Sequence, residues 1–193
     1  MERIDLGPCP ALLHEGDRDR CVVLLPGAHY PTRAPLLWFA REAALARGWG
    51  VLEVLDELPG GVEPFEWALD RAERALDAAP GEDPLPVGKS LTTAATGLAA
   101  DRGLAAVWLT PLMREHRVVD GLRRAGRPTL LVGGSGDPLW SRDAVPPNPA
   151  IETLELDGTD HALQAPGDVE LSLAALRQVT AAVAALLDRS AHS

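Results

Sequence analysis

Ser90, Asp137 and His161 are the side chains whose types and settings could together run acyl-transfer chemistry. Ser90 is the middle residue of Gly88-Lys89-Ser90-Leu91-Thr92, Asp137 closes Gly-Ser-Gly-Asp before a proline, and His161 ends Gly-Thr-Asp-His. A serine hydroxyl is a poor nucleophile until a base takes its proton, and an imidazole is the usual base. A carboxylate bonded to the imidazole Nδ1 fixes the tautomer and stabilises the cation that forms during attack. The reaction also needs backbone N–H donors aimed at the developing oxyanion, each worth about 10²–10³ in turnover. Leu91, just after the serine, supplies one. Ala28, after the glycine of Pro26-Gly27-Ala28-His29-Tyr30, supplies the second.

Each residue also has a plainer role. Ser90 could cap the helix that follows it, Asp137 suits a Gly-Asp-Pro turn, and His161 could be an exposed loop histidine. Among the other histidines, His29 is the serious rival base, because it follows the end of an apolar strand. His14 and His116 show no partner pattern, and His192 is next to the last residue. Asp160 is adjacent to His161 and has difficulty reaching around to its ring, so Asp56 is the second choice of acid. The string Gly88-Lys89-Ser90 also looks like the end of a phosphate-binding loop. That motif needs glycine at position 83, which is Asp83, and Pro84 and Pro86 remove amides that a phosphate cradle would use.

The elements that must position these residues follow an alternation of strand-length apolar runs and longer helical patterns, which predicts an α/β fold. Strands are expected at Cys21 to Leu25, Val51 to Leu55, Leu85 to Val87, Leu104 to Leu109 and Thr129 to Val132. Ile151 to Leu156, more polar, suits a sheet edge, and Ile4 to Leu6 with Ala11 to His14 suits a hairpin. Runs apolar throughout imply helices on both faces of a mostly parallel, doubly wound sheet. Helices are expected at Pro35 to Arg47, Pro64 to Ala79, Thr92 to Ala100, Arg114 to Arg124 and Val169 to Asp188. In the second, Phe65, Leu69, Ala72, Leu76 and Ala79 form the apolar stripe and Arg71 falls on the polar face. Pro86 removes one donor from an otherwise central strand, and the glycines before Asp137 read as a flexible loop. The strand–turn–helix setting of Ser90 is what a strained nucleophile turn requires.

The chain has 193 residues, fitting one domain, with 28 acidic against 18 basic residues and a formal charge of −10. Acidic charge disfavours nucleic acid and anionic lipid as partners. The two cysteines, Cys9 and Cys21, do not make a disulfide framework, and Cys21 reads as a buried, inert thiol. No apolar stretch approaches the roughly 20 residues that span a bilayer, and no leader pattern opens the chain, so a cytoplasmic protein is expected. No cofactor or metal is called for, and oligomeric state is not legible.

These residues resemble the α/β-hydrolase family, in particular its small, lidless, dienelactone-hydrolase-like members. The likeness runs through Leu25-Pro26-Gly27-Ala28, Val87-Gly88-Lys89-Ser90-Leu91-Thr92, Leu130-Leu131-Val132-Gly133-Gly134-Ser135-Gly136-Asp137-Pro138 and Gly158-Thr159-Asp160-His161. It implies Ser90 as nucleophile, Asp137 as acid, His161 as base, and Ala28 and Leu91 as oxyanion donors. The chain order Ser, Asp, His is the order of that family. Thr92 stands where glycine is usual, and Pro26 where many members carry histidine. The resemblance implies hydrolysis of small esters or thioesters, with a silent, ligand-binding relative as the alternative. About 20 residues separate the strand ending at Leu109 from the one starting at Thr129, near a plain crossover. With no room for a lid, an open pocket taking short acyl groups is expected, walled by His29, Tyr30, Leu112, Met113 and Trp140.

Overall fold

The computed structural model describes residues 1–191; His192 lies outside the described residues. Over these residues the strands are β1 (Glu2–Asp5), β2 (Pro10–His14), β3 (Asp17–Leu25), β4 (Trp49–Val54), β5 (Leu85–Lys89), β6 (Ala106–Leu109), β7 (Thr129–Gly134) and β8 (Ile151–Leu156). They form one sheet in the order β1-β2-β4-β3-β5-β6-β7-β8. From β4 to β8 all pairings are parallel, while β1 and β2 make an antiparallel hairpin added to β4. The helices are α1 (Pro35–Leu45), α2 (Pro64–Ala78), α3 (Thr96–Asp101), α4 (His116–Arg124) and α5 (Val169–Ser190).

Strand period two divides the core. Cys21, Val23 and Leu25 face one way, against Ala72 and Leu76 of α2, Ala99 of α3 and Leu122 of α4. Val22 and Leu24 face the other way, against Leu37 of α1 and Val179 and Val183 of α5. Helices therefore cover both faces, which is why the central strands are apolar throughout. The expected hairpin is present, and β8 forms one edge of the sheet, as expected, with β1 at the other.

Several expectations are corrected. The segment after Ser90 opens as a 3-10 turn, Ser90–Ala95, before α3 begins. The buried face of α2 is rotated from the expected stripe: Trp67, Ala68, Arg71, Ala72, Ala75 and Leu76 are buried. Arg71 is tolerated there because its Nε donates to Asp56 Oδ2 at 2.6 Å and its guanidinium lies over Trp67. Pro86 sits in the central strand opposite Val23, but the β5–β6 pairing begins only at Val87, so its missing donor falls before that ladder starts. At 22 residues, with a mean hydropathy of 1.4 over its most apolar window, α5 is long and apolar enough to cross a membrane. A count of uninterrupted apolar residues misses this. One stripe of α5, Ala175, Val179, Val183, Leu186 and Leu187, is buried against the sheet.

Cys9 and Cys21 are free and buried, and desolvation pushes both thiols up to about 11. Residues 110–128 between β6 and β7 hold α4 and short loops, with no inserted lid.

Candidate active site

The loops at the C-terminal ends of β3, β5, β6, β7 and β8 gather the candidate residues on one edge of the sheet, where open α/β sheets bind ligands. Strain marks this edge. The non-glycine residues with left-handed backbone among those described are His29, Ser90, Thr110 and Leu163, and each follows one of these strands.

Ser90 takes φ 54° at the end of β5, which turns its half-buried side chain out of the strand. Two neighbours make the turn feasible. A Cβ on Gly88 would lie 2.7 Å from Cζ3 of Trp108, so only glycine lets β5 lie against that ring. Thr92, fully buried, accepts from the Lys89 N–H at 3.1 Å, and its hydroxyl lies 3.2 Å from the carbonyl oxygens of both Leu25 and Lys89. The threonine thus links the end of β3 to the serine turn, a role glycine could not fill.

Asp137 follows β7 in a tight turn, with its N–H donating to Gly134 O at 3.0 Å. The glycines before it are packed rather than flexible. A Cβ on Gly133 would meet the Trp140 ring at 2.1 Å, and one on Gly134 would meet the Thr159 carbonyl oxygen at 2.3 Å. Close approach of this loop to the one after β8 brings acid and base together. Asp137 Oδ2 lies 2.7 Å from His161 Nδ1, and His161 Nε2 lies 2.8 Å from Ser90 Oγ. An ionised carboxylate only accepts, so Nδ1 carries the proton and Nε2 is free to accept from the serine hydroxyl. Asp137 Oδ1 is held by the Leu139 N–H at 2.9 Å.

Asp160 shapes the histidine loop rather than touching the ring. Its Oδ1 accepts from the N–H groups of Ala162 and Gln164 at 2.8 and 3.0 Å. Asp56 is held by Arg71 and by Trp67 Nε1, at 2.6 and 3.3 Å. His29 is exposed. His14, read as partnerless, does have a partner in Glu53, with Nε2 and Oε2 2.8 Å apart on the β2–β4 side of the sheet.

Ala28 and Leu91 both pack at one small apolar cluster with Trp67 and Ala94, bordered by Leu58 and Phe65. The turn at Gly27 uses the amides of Gly27 and Tyr30, which leaves that of Ala28 outside its ladder. Leu91 is the second residue of its 3-10 turn, where amides have no acceptor within the helix. The expected walls divide. Tyr30 lines a cavity of about 470 Å³ with Leu36, Asp160, Ala162 and Leu163, and Leu112 is half-buried beside Thr93, to whose Oγ1 its N–H donates at 3.3 Å. Met113 and Trp140 are corrected: both are buried in the core cluster under α3 and α4, Trp140 because it packs on Gly133 and donates to Glu155 at 2.6 Å. Among the described residues, no group of three or more His, Cys, Asp or Glu side chains is placed to hold a metal ion.

Lys89 is the polar residue that sequence reading passed over. It is 2% exposed, and its Nζ donates to Thr110 Oγ1 at 3.0 Å and to the His161 carbonyl oxygen at 2.9 Å. Burial lowers its pKa to about 8, although the charges of Asp137 and Asp160 pull it upward.

Solved structures match this arrangement of strands and helices across almost the whole chain. Est1E from Butyrivibrio proteoclasticus, with ferulic acid bound, is 16% identical over 100% of both chains, with a TM-score of 0.73. The fold is that of the α/β-hydrolases. An α/β serine hydrolase without lid from Xanthomonas campestris is similar at 13% identity, over 97% of this chain and 93% of its own, with a TM-score of 0.72. An α/β serine hydrolase homologue from Coxiella burnetii is 10% identical over 91% and 90%, with a TM-score of 0.70. No protein-family model matches the sequence. No curated protein matches it either. At these identities the α/β-hydrolase likeness is one of fold, and fold does not fix substrate.

Proposed function

We propose that this α/β-hydrolase-fold protein is a serine hydrolase that cleaves small carboxylic esters or thioesters through an acyl-enzyme. The observation that carries the reading is the continuous chain from Ser90 Oγ through the His161 ring to Asp137, with steps of 2.8 and 2.7 Å. In the first half-reaction Ser90 Oγ attacks the substrate carbonyl carbon while its proton passes to His161 Nε2. The resulting oxyanion is held by the N–H groups of Leu91 and Ala28. The tetrahedral species collapses, the C–O or C–S bond breaks, and His161 returns the proton to the leaving alcohol or thiol. Water, deprotonated by His161, then releases the acid and restores Ser90.

The absence of an inserted lid between β6 and β7 supports an open site and short acyl groups. Fluorophosphonate labelling tests the nucleophile: the wild type is labelled at Ser90 and Ser90→Ala is not. On p-nitrophenyl acetate, Ser90→Ala and His161→Ala each lose about 10⁴ or more in kcat, and the double variant loses little further. An unlabelled wild type with no ester hydrolysis would assign the fold here to ligand binding without turnover. In a series of p-nitrophenyl esters rates fall with chain length, and a long-chain optimum would overturn the shallow pocket.

A further inference from the structure

Lys89 is chemically out of place. It stands in the last position of a central strand, where an apolar side chain would fill the space without cost, and burying a cation is unfavourable unless it is paired. Its ammonium meets three loops at once: Thr110 after β6, the His161 carbonyl after β8, and the Tyr30 ring after β3, whose centroid is 4.5 Å away. All three partners are on loops with strained backbone, at Thr110, at Leu163 and at His29. The tie falls on the backbone of the residue whose ring bridges Ser90 and Asp137.

We propose that Lys89 is a positioning residue, whose ammonium fixes the His161 backbone to the end of β6 and so holds the imidazole in line between Ser90 and Asp137. The inference rests on the serine-hydrolase reading above. His161 sits on a loop with a side chain 33% exposed, so its ring is not clamped by packing alone. Asp160 shapes the following turn and the Gly136 N–H holds the Thr159 carbonyl at 2.9 Å, but the bond to the His161 carbonyl itself comes from Lys89. Displacement of a reacting group by about 1 Å can cost about 10²-fold in rate. The cation also acts through space. The charged groups that face it are Asp137, from the loop after β7, and Asp160, from the histidine loop. The remaining partners, the Thr110 hydroxyl, the Tyr30 ring and the His161 carbonyl, carry no charge at neutral pH. A positive charge here opposes formation of the imidazolium, so removing it makes protonation of the base easier.

The test uses the full chain, p-nitrophenyl acetate and a fluorophosphonate probe. Lys89→Met keeps most of the length of the side chain and removes its charge and donors. It is expected to lose about 30- to 100-fold in kcat, with KM changed less than about threefold. Labelling of Ser90 slows in parallel, and the acid limb of the kcat/KM profile moves to higher pH, which a lysine needed only for folding would not cause. Thr110→Val removes one of the two acceptors and loses less, Thr110→Ser restores the wild-type rate, and the double variant is no worse than Lys89→Met. Wild-type kcat and an unmoved acid limb in Lys89→Met would overturn the inference while leaving the serine reading intact. If Lys89→Met does not fold, unchanged kcat in Thr110→Val overturns it instead. A wild type that Ser90 labelling and ester hydrolysis both fail to detect overturns the two readings together.

Discussion

Asp137 meets His161 with its side chain wholly shut off from solvent, Oδ2 lying 2.7 Å from Nδ1, while the ring it holds is one-third exposed. Its other oxygen is occupied by the Leu139 N–H. The carboxylate therefore has one way to bond the ring, and the ring one tautomer to offer Ser90. Asp137→Asn keeps the shape but changes the donor pattern. With its oxygen retained by Leu139, the amide turns an N–H toward Nδ1, which must then accept, and the proton moves to Nε2 facing Ser90. On the proposed mechanism kcat falls by about 10³–10⁴ with folding preserved. Steady-state rates beside a circular dichroism melt check this, and a loss below tenfold would assign Asp137 a structural role only.

The depressed lysine makes a prediction about stability. Lys89 titrates at about 8 in the folded protein, against an ordinary value of 10.5. Below pH 8 both states hold the proton, and the folded state carries the full cost of burying it. Between about 8 and 10.5 the folded protein has released the proton and the unfolded chain has not, so wild-type stability rises with pH. The whole interval corresponds to about 3 kcal/mol. Relative to Lys89→Met, which lacks the group, the wild type gains most of this between pH 7 and 10. Urea midpoints measured on both proteins across that range test it, since other titrations cancel in the difference. Parallel curves would mean that Lys89 is not a buried cation.

Gly88 and Trp108 are paired across β5 and β6, and the ring occupies the space a side chain at 88 would need. Trp108 is 1% exposed and cannot swing out cheaply. Gly88→Ala is expected to lose about 1–3 kcal/mol of stability and, because Ser90 is two residues on, much of its turnover. Adding Trp108→Leu makes room and restores part of the stability. If the two changes are simply additive in urea denaturation, the contact is not what requires glycine.

Much of this site was legible because strand–turn–helix order and chain order are properties of sequence. Ser90, Asp137 and His161 each follow a strand, and the parallel order β5, β6, β7, β8 brings their loops to one edge. What escaped were contacts made across that edge. Lys89 carries no signal of its own between Gly88 and Ser90, and only the fold shows its ammonium under the histidine loop. Met113 and Trp140 follow the right strands, yet their side chains turn into the core, since Trp140 fills the space above Gly133. Arg71 looked solvated because its partner, Asp56, lies on another element.

Thr92 stands where the α/β-hydrolases that the sequence resembles usually carry glycine, and its hydroxyl has a measurable task. It satisfies the buried Lys89 N–H and reaches the Leu25 and Lys89 carbonyls, joining the serine turn to the strand that leads into the Ala28 loop. Thr92→Val keeps the shape and removes the hydroxyl's bonds to the Lys89 N–H and to the Leu25 and Lys89 carbonyls, which costs about 1 kcal/mol. Thr92→Ser retains the hydroxyl and loses only a methyl contact. Thr92→Gly, the residue usual in the α/β-hydrolases that the sequence resembles, loses the same bonds as valine and adds backbone freedom. The expected stability order in chemical denaturation is wild type, then serine, then valine, then glycine. Activity should follow it, because the two proposed oxyanion donors, Ala28 and Leu91, lie on the segments that Thr92 joins. A glycine variant as stable as the wild type would show that the turn holds without this link.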